Sequence, residues 1–204
     1  RELTQATSIP ISADLENGFG DTPEDAAVTI RRAAEAGLVG GSIEDYTGRD
    51  DSPLYEIAHA QERVRAAAEA ARSVGFPFLL TARAENYFRG KPDLRDVIKR
   101  LQAYQEAGAD VLFAPLLQSR EDLQTVLREI DRPLNVLAGI GGLASLTLAD
   151  YQALGVRRLS VGSLLSTVAY GALIHAGKEL KELGTFGFVQ ETARAKDLKA
   201  LLKR

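Results

Sequence analysis

The sequence predicts an α/β fold of the (β/α)8 TIM-barrel type, with six strand-helix units visible and extra helices at the C-terminal end. Three observations carry this. Short apolar runs rich in Ile, Val, Leu and Phe alternate with longer amphipathic stretches, the pattern of βα units around a parallel sheet. Polar residues suited to chemistry gather at the carboxyl ends of these runs, where parallel α/β folds place their sites. No glycine-rich dinucleotide fingerprint follows any run, which removes the commonest reason to prefer an open doubly wound sheet.

The first run, Ile9 to Leu15, precedes a helix over Thr22 to Ala36, with Thr22 as N-cap, Pro23 at the first helical position and Gly37 at its end. The second, Val39 to Glu44, leads through the polar loop Tyr46 to Pro53 into a long helix ending near Gly75. The third, Phe76 to Ala84, precedes a helix over Asp93 to Ala107 that Gly108 closes. The fourth, Asp110 to Pro115, precedes a helix over Ser119 to Ile130 opened by Ser-Arg-Glu-Asp. The fifth, Leu134 to Gly139, and the sixth, Arg158 to Val161, flank a helix over Leu146 to Leu154, and helical patterns then run from Ser166 to Leu183 and from Gln190 to Lys203. A closed barrel needs eight strands and typically about 250 residues. Two units are therefore expected before Arg1, and the absence of methionine even at position 1 agrees with an upstream start.

At 204 residues, 45% hydrophobic and 26% charged, the chain can bury one sizeable core, and a single domain over 1–204 is expected. A net charge of −3, with basic and acidic residues interleaved, gives no reason to expect nucleic acid or an anionic membrane surface as partner. Neither a membrane span nor a secretory leader can be read, so the expected location is the cytoplasm. The absence of cysteine excludes disulfides, zinc-thiolate sites and thiol nucleophiles from these residues.

Three consecutive runs end in chemistry-bearing residues: Ser12-Ala13-Asp14-Leu15-Glu16-Asn17-Gly18-Phe19-Gly20, Ser42-Ile43-Glu44-Asp45 and Thr81-Ala82-Arg83-Ala84-Glu85-Asn86. Asp14 and Glu16 are two apart, so on an extended strand they point to one side, and Glu44 on the next strand, about 4.8 Å away, can join them around one ion. Hard oxygen ligands without His or Cys suit Mg²⁺ or Mn²⁺. Arg83 can form a bidentate pair with a substrate carboxylate. A single such carboxylate reads by default as solvated or ion-paired; three strand ends in a row shift the balance. Gly18 and Gly20 allow close approach to a ligand, although a tight turn explains them as well. His59 and His175 fall in helical stretches away from any strand end and read as structural or surface residues.

The segments Ala13 to Gly20, Ile43-Glu44-Asp45 and Ala82-Arg83-Ala84-Glu85 resemble, in order and spacing, the acidic strand-end motifs and the carboxylate-binding arginine segment of the isocitrate lyase and phosphoenolpyruvate mutase superfamily. Asn135 to Gly139 and Ser160 to Ser163 are similar to its shorter bacterial members. The resemblance implies a metal enzyme that makes or breaks a C–C or P–C bond beside a small 2-oxo or 2-hydroxy carboxylate, through an enolate-like species. Asp14, Glu16 and Glu44 would hold Mg²⁺ partly through water, Arg83 would orient the substrate carboxylate near Gly18, and Tyr46 to Pro53 would act as a gate, with Arg83 and Glu44 as the catalytic pair. Isocitrate and methylisocitrate lyases carry a Lys-Lys/Arg-Cys-Gly-His gate motif, which this chain lacks, so those two activities are not expected. The phosphonate mutases place a histidine near the end of the fourth run, where this chain has Phe113-Ala114-Pro115-Leu116, which counts against mutase activity. Arg49, Asp50, Asp51 and Ser52 are candidates for gate chemistry or simply a solvated loop.

Two other classes stand beside this reading. Gly139-Ile140-Gly141-Gly142 and Gly162-Ser163 could form the phosphate-binding loops of a barrel enzyme, although the acidic cluster would repel phosphate without a metal. A non-catalytic metabolite-binding barrel is the third. Apolar positions in the C-terminal stretch, including Leu183, Phe186, Phe188, Val189, Leu198 and Leu201, suggest packing on a second subunit, and the superfamily resemblance likewise implies a homo-oligomer.

Overall fold

A computed structural model describes residues 1–193 and 195–202. The chain divides into two compact units, Arg1–Ser160 and Val161–Arg204. The first opens with α1 (Glu2–Ala6), which the periodicity did not announce. Six strands follow: β1 (Ser12–Asp14), β2 (Gly40–Glu44), β3 (Leu79–Arg83), β4 (Val111–Phe113), β5 (Leu134–Leu137) and β6 (Arg158–Ser160). Helices α2 (Pro23–Glu35), α3 (Ile57–Ser73), α4 (Leu94–Ala107), α5 (Arg120–Glu129) and α6 (Leu148–Ala153) connect them in turn.

All six strands form one sheet in the order β1-β2-β3-β4-β5-β6, and every neighbouring pair is parallel. A doubly wound sheet reverses its order at a switch point; this one never does. It also curls. Arg158 on β6 donates from Nη1 to Thr81 Oγ1 on β3 at 2.6 Å, although those strands are three spacings apart, roughly 14 Å if flat. The sheet is therefore part of a barrel.

Register explains its two faces. Ile43, Ala82, Leu112 and Leu134 pair across β2 to β5 and are all buried. They pack beneath helix stripes such as Ala26, Ile30 and Ala33 of α2, or Val64, Ala67 and Ala71 of α3, spaced three and four apart as a helix face requires. The alternate row, Glu44, Arg83, Phe113, Asn135 and Arg158, also pairs strand by strand and faces the concave side.

The helix starts follow from their caps. Thr22 and Asp25 form a reciprocal capping box with Pro23 first in the helix, Thr147 and Asp150 form another, and Asp93 and Ser119 accept from the first-turn amides of α4 and α5. Gly108 closes α4 with φ 104°. Gly142 is explained by packing: a Cβ there would lie 1.6 Å from the Gln118 carbonyl oxygen. That close approach gives Gly142 a structural reason independent of phosphate.

The second unit holds α7 (Leu164–Glu182), a 3-10 turn at Gly187–Glu191 and α8 (Ala195–Leu202). Helix α7 buries none of its residues. The helix expected from Gln190 is thus split, Lys203 lies outside the described residues, and so does the side chain of Leu201. Among the described residues, no helix is long and apolar enough to cross a membrane.

Candidate active site

The carboxyl ends of β1, β2 and β3 bring acidic side chains around one guanidinium. Arg83 Nη1 lies 3.1 Å from Asp14 Oδ2 and 3.6 Å from Glu44 Oε2, and its Nε donates to Glu85 Oε1. The Phe113 ring supports it, with its centroid 5.3 Å from the guanidinium carbon. Among the described residues Arg83 Nη2 makes no hydrogen bond, which leaves it able to bind a carboxylate. Ser42 Oγ steadies Asp14 at 3.2 Å. The structure thus gathers the expected Asp14, Glu44 and Arg83 and adds Glu85, two residues beyond Arg83.

Glu16 is placed differently from expectation. The strand stops at Asp14, and Glu16 adopts φ 52° in the following turn, so the alternation that was to put Asp14 and Glu16 on one side does not apply. Glu16 is fastened to the site through its backbone: its N–H donates to Asp14 Oδ1 at 3.2 Å and its carbonyl accepts from the Glu44 N–H at 2.9 Å. Its side chain is exposed. Among the described residues, no three His, Asp or Glu side chains converge to ligate one ion directly. Gly18 is occupied as well: its N–H donates to Leu15 O at 2.8 Å, its carbonyl accepts from Thr29 Oγ1 at 2.7 Å, and a Cβ would come 3.1 Å from Ala26 Cα. With φ 82° it serves the turn and the packing on α2, and no backbone N–H is left for a substrate.

Burial sets the electrostatics. Glu44 is 3% exposed, and burial, then the neighbouring Glu85 carboxylate, push its carboxyl up to about 7 against the pull of Arg83. Glu85 is raised by burial too, opposed by Arg83. Arg89 faces both, 3.6 Å from Glu44 Oε1 and 3.0 Å from Glu85 Oε2.

Behind this centre lies a buried frame that the sequence did not single out. Asp45 Oδ1 accepts from the Glu85 N–H at 2.8 Å, and Oδ2 accepts from Arg100 Nη1 at 3.0 Å and Tyr104 OH at 2.5 Å. Arg100 also donates to Tyr55 O at 2.8 Å and Asp96 Oδ2 at 2.6 Å. Burial raises the Asp45 carboxyl, and Arg100 opposes it. The ends of β2 and β3 are thereby locked to α4 and to the far end of the gate loop.

The gate loop is closed on itself. Tyr46 and Leu54 form an antiparallel bridge, Thr47 N–H donates to Pro53 O at 2.9 Å, and Thr47 Oγ1 donates to Ser52 O at 2.5 Å. Arg49 pairs with Asp21 at 3.0 Å, and Tyr55 OH donates to the same carboxylate at 2.5 Å. These hydrogen bonds, Tyr55 first, hold the Asp21 carboxyl below its ordinary value. Asp50, Asp51 and Ser52 are exposed. His59 Nε2 lies 2.8 Å from Asp21 O and braces the loop after β1.

A sequence profile described as phosphoenolpyruvate phosphomutase matches residues 1–181. The uncharacterized protein Rv1998c of Mycobacterium tuberculosis (strain ATCC 25618 / H37Rv) is 31% identical over 173 residues, covering 84% of this chain and 62% of its own length. The oxaloacetate decarboxylase of Rhodopseudomonas palustris (strain BisA53) is 29% identical over 170 residues, covering 79% of this chain and 54% of its own. This chain therefore spans only part of the curated relatives it matches. A crystal structure from Burkholderia cenocepacia J2315, provisionally named a lyase/mutase, is 49% identical with a TM-score of 0.93, covering 99% of this chain and 72% of that one. The 2,3-dimethylmalate lyase structure, from the phosphoenolpyruvate mutase/isocitrate lyase superfamily, aligns at 25% identity with a TM-score of 0.79 over 96% of this chain and 68% of that one. With the profile running over most of its length, this chain belongs to the phosphoenolpyruvate phosphomutase family, in the superfamily shared with isocitrate lyase.

Proposed function

We propose that this protein is a Mg²⁺-dependent lyase acting on a small 2-oxo or 2-hydroxy carboxylate, cleaving or forming a C–C or P–C bond through an enolate-like species. The observation that carries this is Arg83, held by Asp14, Glu44 and Glu85 at the ends of three strands with Nη2 free. A barrel of eight strands, with two βα units beyond the six described, would supply the opposite wall.

The residues present suit a magnesium ion. Asp14 is open to solvent and offers hard oxygens, and Glu44 Oε1 is buried with no hydrogen-bond partner among the described residues. Because among the described residues no three acidic side chains converge to ligate one ion directly, Glu16 and Glu44 would act through water, which suits an ion that sheds water reluctantly. When bound, Mg²⁺ supplies Lewis-acid stabilisation of negative charge developing on oxygen. Arg83 Nη2 orients the substrate carboxylate, the Asp45 frame keeps Arg83 and Glu85 in register, and the gate loop excludes water. The apolar positions Leu165, Val168 and Leu173, unburied on α7, support self-association into a homo-oligomer.

Proton NMR of oxaloacetate and a panel of related 2-oxo and 2-hydroxy acids, incubated with the protein, tests this. Turnover is expected only with Mg²⁺, abolished by Asp14→Ala and reduced at least about 100-fold by Arg83→Lys, which loses the planar fork. Turnover indifferent to Mg²⁺ and to both substitutions would contradict it.

A further inference from the structure

Around the end of β3 charges alternate in a ring. Arg83 meets Glu44 and Glu85 from one side, and Arg89, four residues beyond Glu85, meets the same pair from the other. The second half of the ring is poorly hydrogen-bonded. Glu44 Oε1, Glu85 Oε2 and Arg89 Nε are all buried and, among the described residues, none makes a hydrogen bond; Arg89 Nε is 3.0 Å from Glu85 Oε2, but the N–H is not aimed at it. The carboxylates alone therefore do not fix where this guanidinium stands. Its closest support is an aromatic face: the Arg89 guanidinium carbon lies 3.4 Å from the centroid of the Tyr46 ring. Tyr46 is the first residue of the gate loop and is bridged to Leu54 at the loop's other end.

We propose that Arg89 is a positioning residue that ties the gate to the acidic centre: stacking on Tyr46 sets the guanidinium, and the guanidinium in turn holds Glu44 and Glu85. Movement of the gate base and reorientation of Glu44 are then one event. A planar guanidinium is needed, since a lysine ammonium cannot stack on the ring and face two carboxylates at once. The significance for catalysis rests on the function proposed above; the mechanical link does not.

Arg49 is exposed in the gate, so tryptic cleavage after it, identified by mass spectrometry, reports gate opening. Arg63 and Arg100 are buried, and cleavage after them reports global unfolding. Arg89→Gln and Tyr46→Leu are each expected to raise the initial cleavage rate after Arg49 about tenfold without raising cleavage after Arg63 or Arg100, and the double variant to exceed neither. Tyr46→Phe keeps the ring and should match the wild type. With digestion at pH 8, Glu44→Gln, which there removes one anion facing the guanidinium, should raise the rate in the same direction. An unchanged rate after Arg49 in Arg89→Gln and Tyr46→Leu would overturn the clamp, and an unchanged rate in Glu44→Gln would overturn its link to the acidic centre. Oxalate calorimetry with Mg²⁺ on the same variants separates the two ideas: a wild type that binds no oxalate defeats the proposed function, while the cleavage rates still decide the clamp.

Discussion

Replacing Glu44 with Gln should stabilise the metal-free protein at pH 8 and leave it nearly unchanged at pH 5. Glu44 is 3% exposed, and burial with the adjacent Glu85 raises its carboxyl from 4.5 to about 7. Between those values the folded protein holds a proton that the unfolded chain has released, so stability falls as pH rises through the window. At about 1.36 kcal/mol per pH unit the loss amounts to roughly 3 kcal/mol by pH 8. Gln is a neutral isostere and resembles the protonated acid at both pH values, so its curve should be flatter. Glu85 and Asp45 are raised as well and leave some residual slope. Guanidinium denaturation of both proteins in EDTA at pH 5, 6.5 and 8 measures the difference. Parallel stability curves over that range would refute the reasoning. Added Mg²⁺ should recover stability at pH 8 in the wild type more than in Glu44→Gln.

Four further outcomes follow from the packing. Arg100→Met strands the buried Asp45 carboxylate without its cation and should cost about 3–5 kcal/mol, whereas Tyr104→Phe, losing one hydrogen bond to the same oxygen, should cost about 1–3 kcal/mol; denaturant midpoints distinguish them. Gly142→Ala drives a Cβ to 1.6 Å from the Gln118 carbonyl oxygen and should destabilise the fold by about 3 kcal/mol or more, read as a lowered melting temperature. Gly48→Ala meets open space at φ 78° and should cost only about 1 kcal/mol.

What could be read in the sequence was whatever depends on residue type at short range. Thr22-Pro23, Asp93 and Ser119 announced their helices because capping chemistry is local, and the six apolar runs each became a strand. Asp14, Glu44 and Arg83 were legible because strand ends in parallel folds collect chemistry. The orientation of Glu16 was not legible because nothing in Leu-Glu-Asn reveals a left-handed turn, and two-residue alternation holds only while the strand lasts. Arg63 shows another limit. It is 1% exposed on the inner face of α3 and donates to the carbonyls of Asn17, Gly20 and Thr22, so it organises the loop after β1. An arginine in a helix otherwise reads as solvated, and main-chain carbonyls leave no signature by which a partner could be recognised. Arg89 was hidden for a similar reason: its meaning comes from Tyr46, 43 positions away in sequence and brought beside it by adjacent strand ends.

The most direct test of the proposed site is isothermal titration of oxalate, a planar mimic of the enolate, into the wild type and Asp14→Ala with and without Mg²⁺. The account predicts binding to the wild type only when Mg²⁺ is present, and its loss in Asp14→Ala with the fold intact. Oxalate binding that ignores both Mg²⁺ and Asp14, or none under any condition to folded protein, would contradict a metal-assisted carboxylate site at these strand ends.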